Sequence, residues 1–407
     1  MDISLESMAD GLFWLQVLLS MSFVALTPKR SPLRKLGLVV IGSLCYVNLA
    51  ITSKCQREMA REYTRGVNCL LSVVHSFSIL VVCSLDAQDI PLKRNLPWFP
   101  PALKRLIGAL EWITSPRGVG TRWQPKAILK TDGSLDRGSY VIKQALILGS
   151  QYLLNDAAYF LTHVAMEKWG NVINSLTVPP FRLSIQELAP RAVFTASAFV
   201  RTYFLLSLYQ RTAALATVAV GFYSPEEWPA PFGSVSDAYT LRGYWGKFWH
   251  QMIRWPLTSM ATFITDDVLW LPKHTRLHRY THLTLVFTVS GLLHSVPMGY
   301  SNHPGDQLGV TLFFTCFSVG IIIEDAVQEL WRRSMGDTQK TEAWKRVIGY
   351  AWVLSWFVVT GPYFTYPMNY MPLEVHRYVD SGPMVMAIVA GTATMWLVVD
   401  RVFSPVK

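Results

Sequence analysis

The residue most able to do chemistry is His294. It lies two thirds of the way along an otherwise apolar run, THLTLVFTVSGLLHSVPM, Thr281–Met298. Ser290, four residues earlier, shares its helical face, and Gly291 leaves that face open to close approach. An ionisable side chain at membrane depth is expensive to keep, which marks it as a candidate site. It can equally be satisfied by a hydrogen bond to a neighbouring helix. A second histidine, His250, falls in an aromatic stretch. With Leu241–Trp255 read as one helix, Gly243, Gly246, Lys247 and Arg254 share its face, beside an apolar face of Trp245, Phe248, Trp249 and Met252. Small residues and cations around a histidine suit a nucleotide-bearing ligand that arrives from the cytosol. They also describe an amphipathic interfacial helix with snorkelling cations. His294 lies about 13 residues, roughly 20 Å, into its own span. If the first helix dips inward, the two histidines meet. A neutral imidazole in an apolar site is a competent general base, because desolvation disfavours its charged form.

The elements that would carry these residues are membrane helices. The chain has 407 residues, 51% hydrophobic and only 16% charged, with 15 Trp, 17 Tyr and 20 Phe. Lipid, not water, is the solvent that such a composition fits. The net charge of +10 belongs to cytosolic loops and not to a nucleic-acid-binding domain. Five cysteines, an odd number with no CxxC, support neither a disulfide framework nor a zinc site. Asp2, Glu6 and Asp10 precede the first apolar run, and Lys29, Arg30, Arg34 and Lys35 follow it. That pattern reads as a retained span rather than a cleaved signal peptide.

Apolar stretches predict an all-α polytopic protein with about nine spans, near 11–27, 36–53, 68–85, 140–163, 192–221, 281–298, 306–327, 347–365 and 383–402. The 192–221 stretch reads either as one tilted span or as two broken ones. With the N-terminus outside, the basic segments 28–35, 86–139, 222–280 and 328–346 fall in the cytosol. Only the loop 54–67 dissents, with Lys54, Arg57, Arg61 and Arg65 against Glu58 and Glu62. The long segments 86–139 and 222–280 are dense in Pro and Trp, which predicts reentrant or interfacial helices.

Other chemistries are less well supported. His274, His278 and His282 would share a helix face, but there is no HxxHH, and His75, His163, His303 and His376 are scattered. With Lys273, Arg276 and Arg279 nearby, the trio reads as a polar helix entry at the membrane surface and not as a metal centre. Arg201, Arg211, Asp266, Asp267, Glu324 and Asp325 could line a tunnel or meet phosphate, yet each reads more readily as a packed or snorkelling residue. Asp237 reads as a helix cap. A transporter would need several broken polar helices and internal repeats; neither is visible.

The run Y-W-G-K-F-W-H, Tyr244–His250, followed by S-G-L-L-H, Ser290–His294, resembles the wax-synthase-like branch of the membrane-bound O-acyltransferases. R-G-V-G at Arg117–Gly120 with Trp123, and S-D-A-Y-T-L-R at Ser236–Arg242, are similar to its fungal members, which acetylate terpenoid and meroterpenoid alcohols. The resemblance implies one acyltransferase domain over 1–407, with its core at about 224–298 and helices around an acyl-CoA tunnel. It implies transfer of an acyl group, by preference acetyl from acetyl-CoA, to a small lipophilic alcohol. No bound cofactor, metal or nucleic acid is implied, and the setting is the endoplasmic reticulum membrane. His294 would match the catalytic histidine and His250 the second motif position, with Trp249, Lys247, Arg254 and Ser290 towards substrate. The sterol and diacylglycerol acyltransferases carry F-Y-x-D-W-W-N there. This chain has Lys247 for the aspartate and His250 for the asparagine, so His250 is expected to support the reaction by hydrogen bonding. A long-chain wax-ester synthase would use the same histidines.

The loop charges generate a topology test. A tag after Lys407 is expected to be digested by protease added to sealed microsomes, and a tag before Met1 to be protected. A protected C-terminal tag would mean that the span count is wrong by one.

Overall fold

The computed structural model describes residues 4–55, 59–90, 99–128, 135–173, 184–300, 307–336 and 343–369. Among these, all regular structure is helical: α1 Leu5–Leu26, α2 Leu33–Thr52, α3 Met59–Phe77, α4 Pro101–Thr114, α5 Arg137–Ile173, α6 Ile185–Ala219, α7 Leu241–Gly243, α8 Arg254–Thr262, α9 Arg276–Tyr300, α10 Gln307–Met335, α11 Ala343–Thr360 and α12 Pro362–Asn369. Helices α3, α7 and α8 each run on into a π turn, Ser78–Val82, Tyr244–Phe248 and Phe263–Val268. Six helical stretches are long and apolar enough to cross a membrane: Leu5–Leu26, Leu33–Thr52, Arg61–Val82, Gln186–Ala219, Arg276–Tyr300 and Gln307–Met335. They coincide with six of the expected spans, and the expected 192–221 span lies in one continuous helix that ends at Ala219. The expected spans at 140–163 and 347–365 are helical, the second broken at Gly361, and 383–402 lies outside the described residues.

Two apolar cores hold the bundle. One joins α1, α2, α4 and the π turn after α3, and includes Trp112 and Trp255. The other joins α9, α10 and α11 to the aromatic turn after α7, through Phe287, Phe313, Phe314, Phe317 and Phe357. Helix α3 packs against both α8 and α9 and so connects the two. Two of the dissenting cations after α2 pair with α1: Arg65 donates to Asp10 at 2.9 Å, and Arg61 lies 3.3 Å from Asp10 and 3.8 Å from Glu6.

Where backbone groups leave a helix inside the bundle, side chains meet them. Arg34 is fully buried and donates to the Thr27 carbonyl and hydroxyl at the α1–α2 corner and to the Leu80 carbonyl. Glu324 of α10 accepts from the Leu241 and Arg242 amides that open α7, and from the Trp352 indole of α11 at 3.0 Å. One carboxylate thus serves a buried helix start, where orphan N–H groups and the positive dipole end favour a negative charge. Glu324→Ala removes all three hydrogen bonds from a buried setting and leaves the donors unpaired. It is expected to cost about 2–3 kcal/mol, read as a lower melting midpoint of the detergent-solubilised protein, whereas Glu329→Ala, which loses only the exposed Arg332 and Arg333 as partners, should change it little.

Candidate active site

The aromatic stretch before His250 is not one helix. Its α-helical part ends at Gly243, a π turn carries Tyr244–Phe248, and the chain is extended at Trp249 (ψ 152°) before α8 begins at Arg254. Pro256 favours the break: it has no N–H for the carbonyl of residue 252, and it stands in the first turn of the new helix, where a missing N–H costs nothing. The carbonyls freed by the break are taken up locally. Gln251 donates to the Trp245 and Trp249 carbonyls at 3.1 and 2.6 Å. Arg254 donates to the Gly246 carbonyl and to Gln251 Oε1 at 2.6 and 2.9 Å. The face expected to gather Gly243, Gly246, Lys247 and Arg254 around His250 therefore does not exist. Lys247 is exposed and sits 3.5 Å from Asp237, and Arg254 staples the break. Nor does Asp237 cap the helix; the Thr240 hydroxyl does, by accepting from the Gly243 amide.

The break turns His250 inward. Its ring meets Trp249 at 5.5 Å and Phe232 at 5.9 Å, and Trp249 is itself buried and stacked on Tyr244. The loop bearing Phe232 is held from behind by Arg117, which donates to the Pro229 and Ala230 carbonyls at 3.0 and 2.9 Å, and by Gln210. Gly233 must be glycine, since a Cβ there would stand 2.2 Å from the Lys247 carbonyl oxygen. Gly118, at φ +56°, lies against the Trp255 ring, and Trp123 stacks on the same ring at 5.7 Å. The R-G-V-G run and Trp123 thus support the segment that places His250. Burial pushes the His250 imidazole down to about 3, with His294 and then Arg117 adding repulsion, so the ring is neutral. Its Nδ1 is buried without a hydrogen bond among the described residues.

His294 lies inside α9, flat against Phe314 at 4.9 Å and edge-on to Phe364 at 5.5 Å. Its Nδ1 is 2.7 Å from the phenol oxygen of Tyr63 on α3. Sequence reading placed residue 63 in a loop and missed it. A polar residue at helical spacing before Gly66 was the available signal. Ser290 is buried one turn along α9, and Gly291 packs onto α10, where a Cβ would lie 3.0 Å from Thr311 Cα and O. Tyr63, His250 and His294 are each partly buried. His294 is near enough for its charge to oppose one on His250. His250, Trp249, His294 and Ser290 thus belong to the buried interior, while Lys247 does not.

The remaining polar candidates are engaged elsewhere. His274 (φ +68°) precedes α9 and does not share its face. His278 is 2.7 Å from Asp266, which lies in the π turn after α8 and is held down to about 2 by that contact together with Thr265 and Lys273. His282 meets the Thr262 hydroxyl at 3.1 Å. Asp325 accepts from Arg242, Arg279 and Tyr280. Arg211 donates to Gln144 and Ser207, and Arg201 lies over the Tyr159 ring at 5.2 Å. Among the described residues no group of three or more His, Cys, Asp or Glu side chains is placed to hold a metal ion. His303 and His376 lie outside them.

A family model described as the Membrane bound O-acyl transferase family matches residues 228–316, the stretch that contains both histidines. Acetyltransferase atnC from Arthrinium sp is 33% identical over 406 residues, covering 95% of this chain and 92% of that protein. Acetyltransferase nanB from Aspergillus nanangensis is 30% identical over 375 residues, covering 86% and 87%. Acetyltransferase cdmC from Talaromyces verruculosus is 29% identical over 372 residues, covering 87% of each. With a membrane-spanning helical bundle, the family match and relatives similar over nearly their whole lengths, the chain belongs to the membrane-bound O-acyltransferase family and is an acyltransferase.

Proposed function

We propose that this enzyme moves an acetyl group from acetyl-CoA to a hydroxyl of a terpenoid or related secondary metabolite, in the endoplasmic reticulum membrane. His294 takes the hydroxyl proton as the alcohol oxygen attacks the thioester carbonyl, and the proton then leaves on the coenzyme A sulfur. His250 orients the thioester or its oxyanion. The observation that carries the reading is the pair of neutral-capable imidazoles in one aromatic interior. His294 Nε2 has no hydrogen bond among the described residues, and His250 Nδ1 is orphaned. Buried polar groups without partners are rare and call for an explanation, and a bound substrate supplies one. Acetyl as the acyl group is supported by the names of the relatives, all acetyltransferases. The terpenoid acceptor is supported only by the likeness of the R-G-V-G and S-D-A-Y-T-L-R runs to fungal members. Direct transfer is favoured over a covalent acyl-enzyme because, among the described residues, no Ser or Cys is hydrogen-bonded to His294.

Microsomes supplied with labelled acetyl-CoA or palmitoyl-CoA and a panel of terpenoid alcohols test the assignment. Acetyl ester is expected to form, whereas palmitoyl ester alone would make the enzyme a wax-ester synthase. In the same assay His294→Ala and His294→Asn are both expected to lose about 10²–10⁴-fold in rate at unchanged membrane level, because an amide cannot replace a base. Rates within threefold of wild type would remove His294 from the base role. His250→Ala should lose about 10²–10³-fold through a missing donor. His250→Asn, which keeps a donor but no titratable group, is expected to retain clearly more activity than His250→Ala. Equal loss in both, with His294→Asn active, would mean that the two roles are reversed.

A further inference from the structure

We infer that Tyr63 is the positioning residue of His294, its phenol oxygen accepting the Nδ1–H bond of the imidazolium formed during transfer. The inference rests on the general-base reading of His294. Tyr63 Oη and His294 Nδ1 are 2.7 Å apart across the α3–α9 contact, with the two rings tilted by only 23°. The contact is built at backbone level. Gly66, one turn beyond Tyr63, faces Pro297, one turn beyond His294, and a Cβ on Gly66 would stand 2.7 Å from the Pro297 Cβ. A helix approach this close is what brings a phenol within hydrogen-bond range of an imidazole on the neighbouring helix.

The base role sets the direction of the bond. A neutral imidazole has one donor and one acceptor, and a base acting at Nε2 carries its hydrogen on Nδ1, so Tyr63 Oη is the acceptor before transfer as well. Once Nε2 has taken a proton both ring nitrogens are donors, and Tyr63 Oη must still accept. Among the described residues no carboxylate is hydrogen-bonded to this ring, whose other ring contacts are Phe314 and Phe364. An imidazolium with an unpaired N–H in an apolar interior would be costly, so the phenol stabilises the charge as it develops. A neutral oxygen does this less strongly than a carboxylate, which lets the proton leave again. The step balances. The alcohol O–H bond breaks and its proton bonds to Nε2, while the alcohol oxygen bonds to the thioester carbon. The C–S bond then breaks, and the Nε2 proton passes to the thiolate, giving ester and free thiol. The Nδ1 and phenol hydrogens stay where they are.

Tyr63→Phe keeps the ring and removes the oxygen. Initial rates are measured for Tyr63→Phe, His294→Ala and the double variant, per unit of monodisperse enzyme in detergent, with labelled acetyl-CoA and the best acceptor. Tyr63→Phe is expected to lower kcat about 10–100-fold, the range seen when the orienting partner of a functional histidine is removed, with KM for both substrates within about twofold. On the His294→Ala background it should cause no further loss, as expected for groups that act as a unit. A kcat within about twofold of wild type, a loss confined to KM, or an equal further loss on the His294→Ala background would overturn the inference. His294→Ala at the wild-type rate would instead overturn the general-base reading, so the two failures are separable.

Discussion

Two places where helix backbones touch decide where the buried polar groups of this enzyme can be. Gly66 lets α3 close onto Pro297, and Gly291 lets α9 close onto Thr311 of α10. In lipid, helices gain little by hiding apolar surface from one another, so close packing over small residues is what holds a defined arrangement. The two contacts fix α9 against both neighbours. His294 is therefore fixed between the phenol of Tyr63 and the face of Phe314. Proline is a stiff counterpart to Gly66, since its ring cannot swing aside, and it lies near the C-terminal end of α9, where the bundle supports the helix.

The second histidine is placed by the opposite device, a backbone that stops being helical. A break in a buried segment exposes carbonyls that must find donors. Here Gln251 and Arg254 supply them from within the same segment. Arg117 and Gln210 do the same for the loop packed behind it. The cations that sequence reading aimed at a ligand are thus largely spent on the protein's own backbone. None of these side chains bonds to the His250 ring among the described residues, and its Nδ1 is left without a partner.

The long helices were legible because each is an apolar run near bilayer length, and the His294 span kept its helical face, including the close approach at Gly291. The stretch from Leu241 to Trp255 was not legible by the same method. Its residues fit a helical period, but Pro256 lies just outside the window and favours a break in that period by removing one N–H. Tyr63 was hidden because Arg61 and Arg65 made its surroundings read as a lumenal loop. Their partners, Glu6 and Asp10, are on α1, some 50 residues away in sequence. A long-range ion pair leaves no local trace, so a charged helix start and a charged loop look alike. The trio His274, His278 and His282 failed for a related reason: the helix begins only at Arg276, leaving the first histidine off the face.

Two imidazoles in one apolar interior cannot both carry charge, and this separates their parts in the proposed reaction. His250 is pushed down to about 3 by burial, and a positive His294 opposes its protonation further. A proton taken from the alcohol therefore has one destination. His250 stays neutral, with one N–H and one lone pair to place. Its Nδ1 is the buried, unpartnered atom. In the proposed role the His250 N–H meets the thioester oxygen as it becomes negative, without competing for the proton that moves.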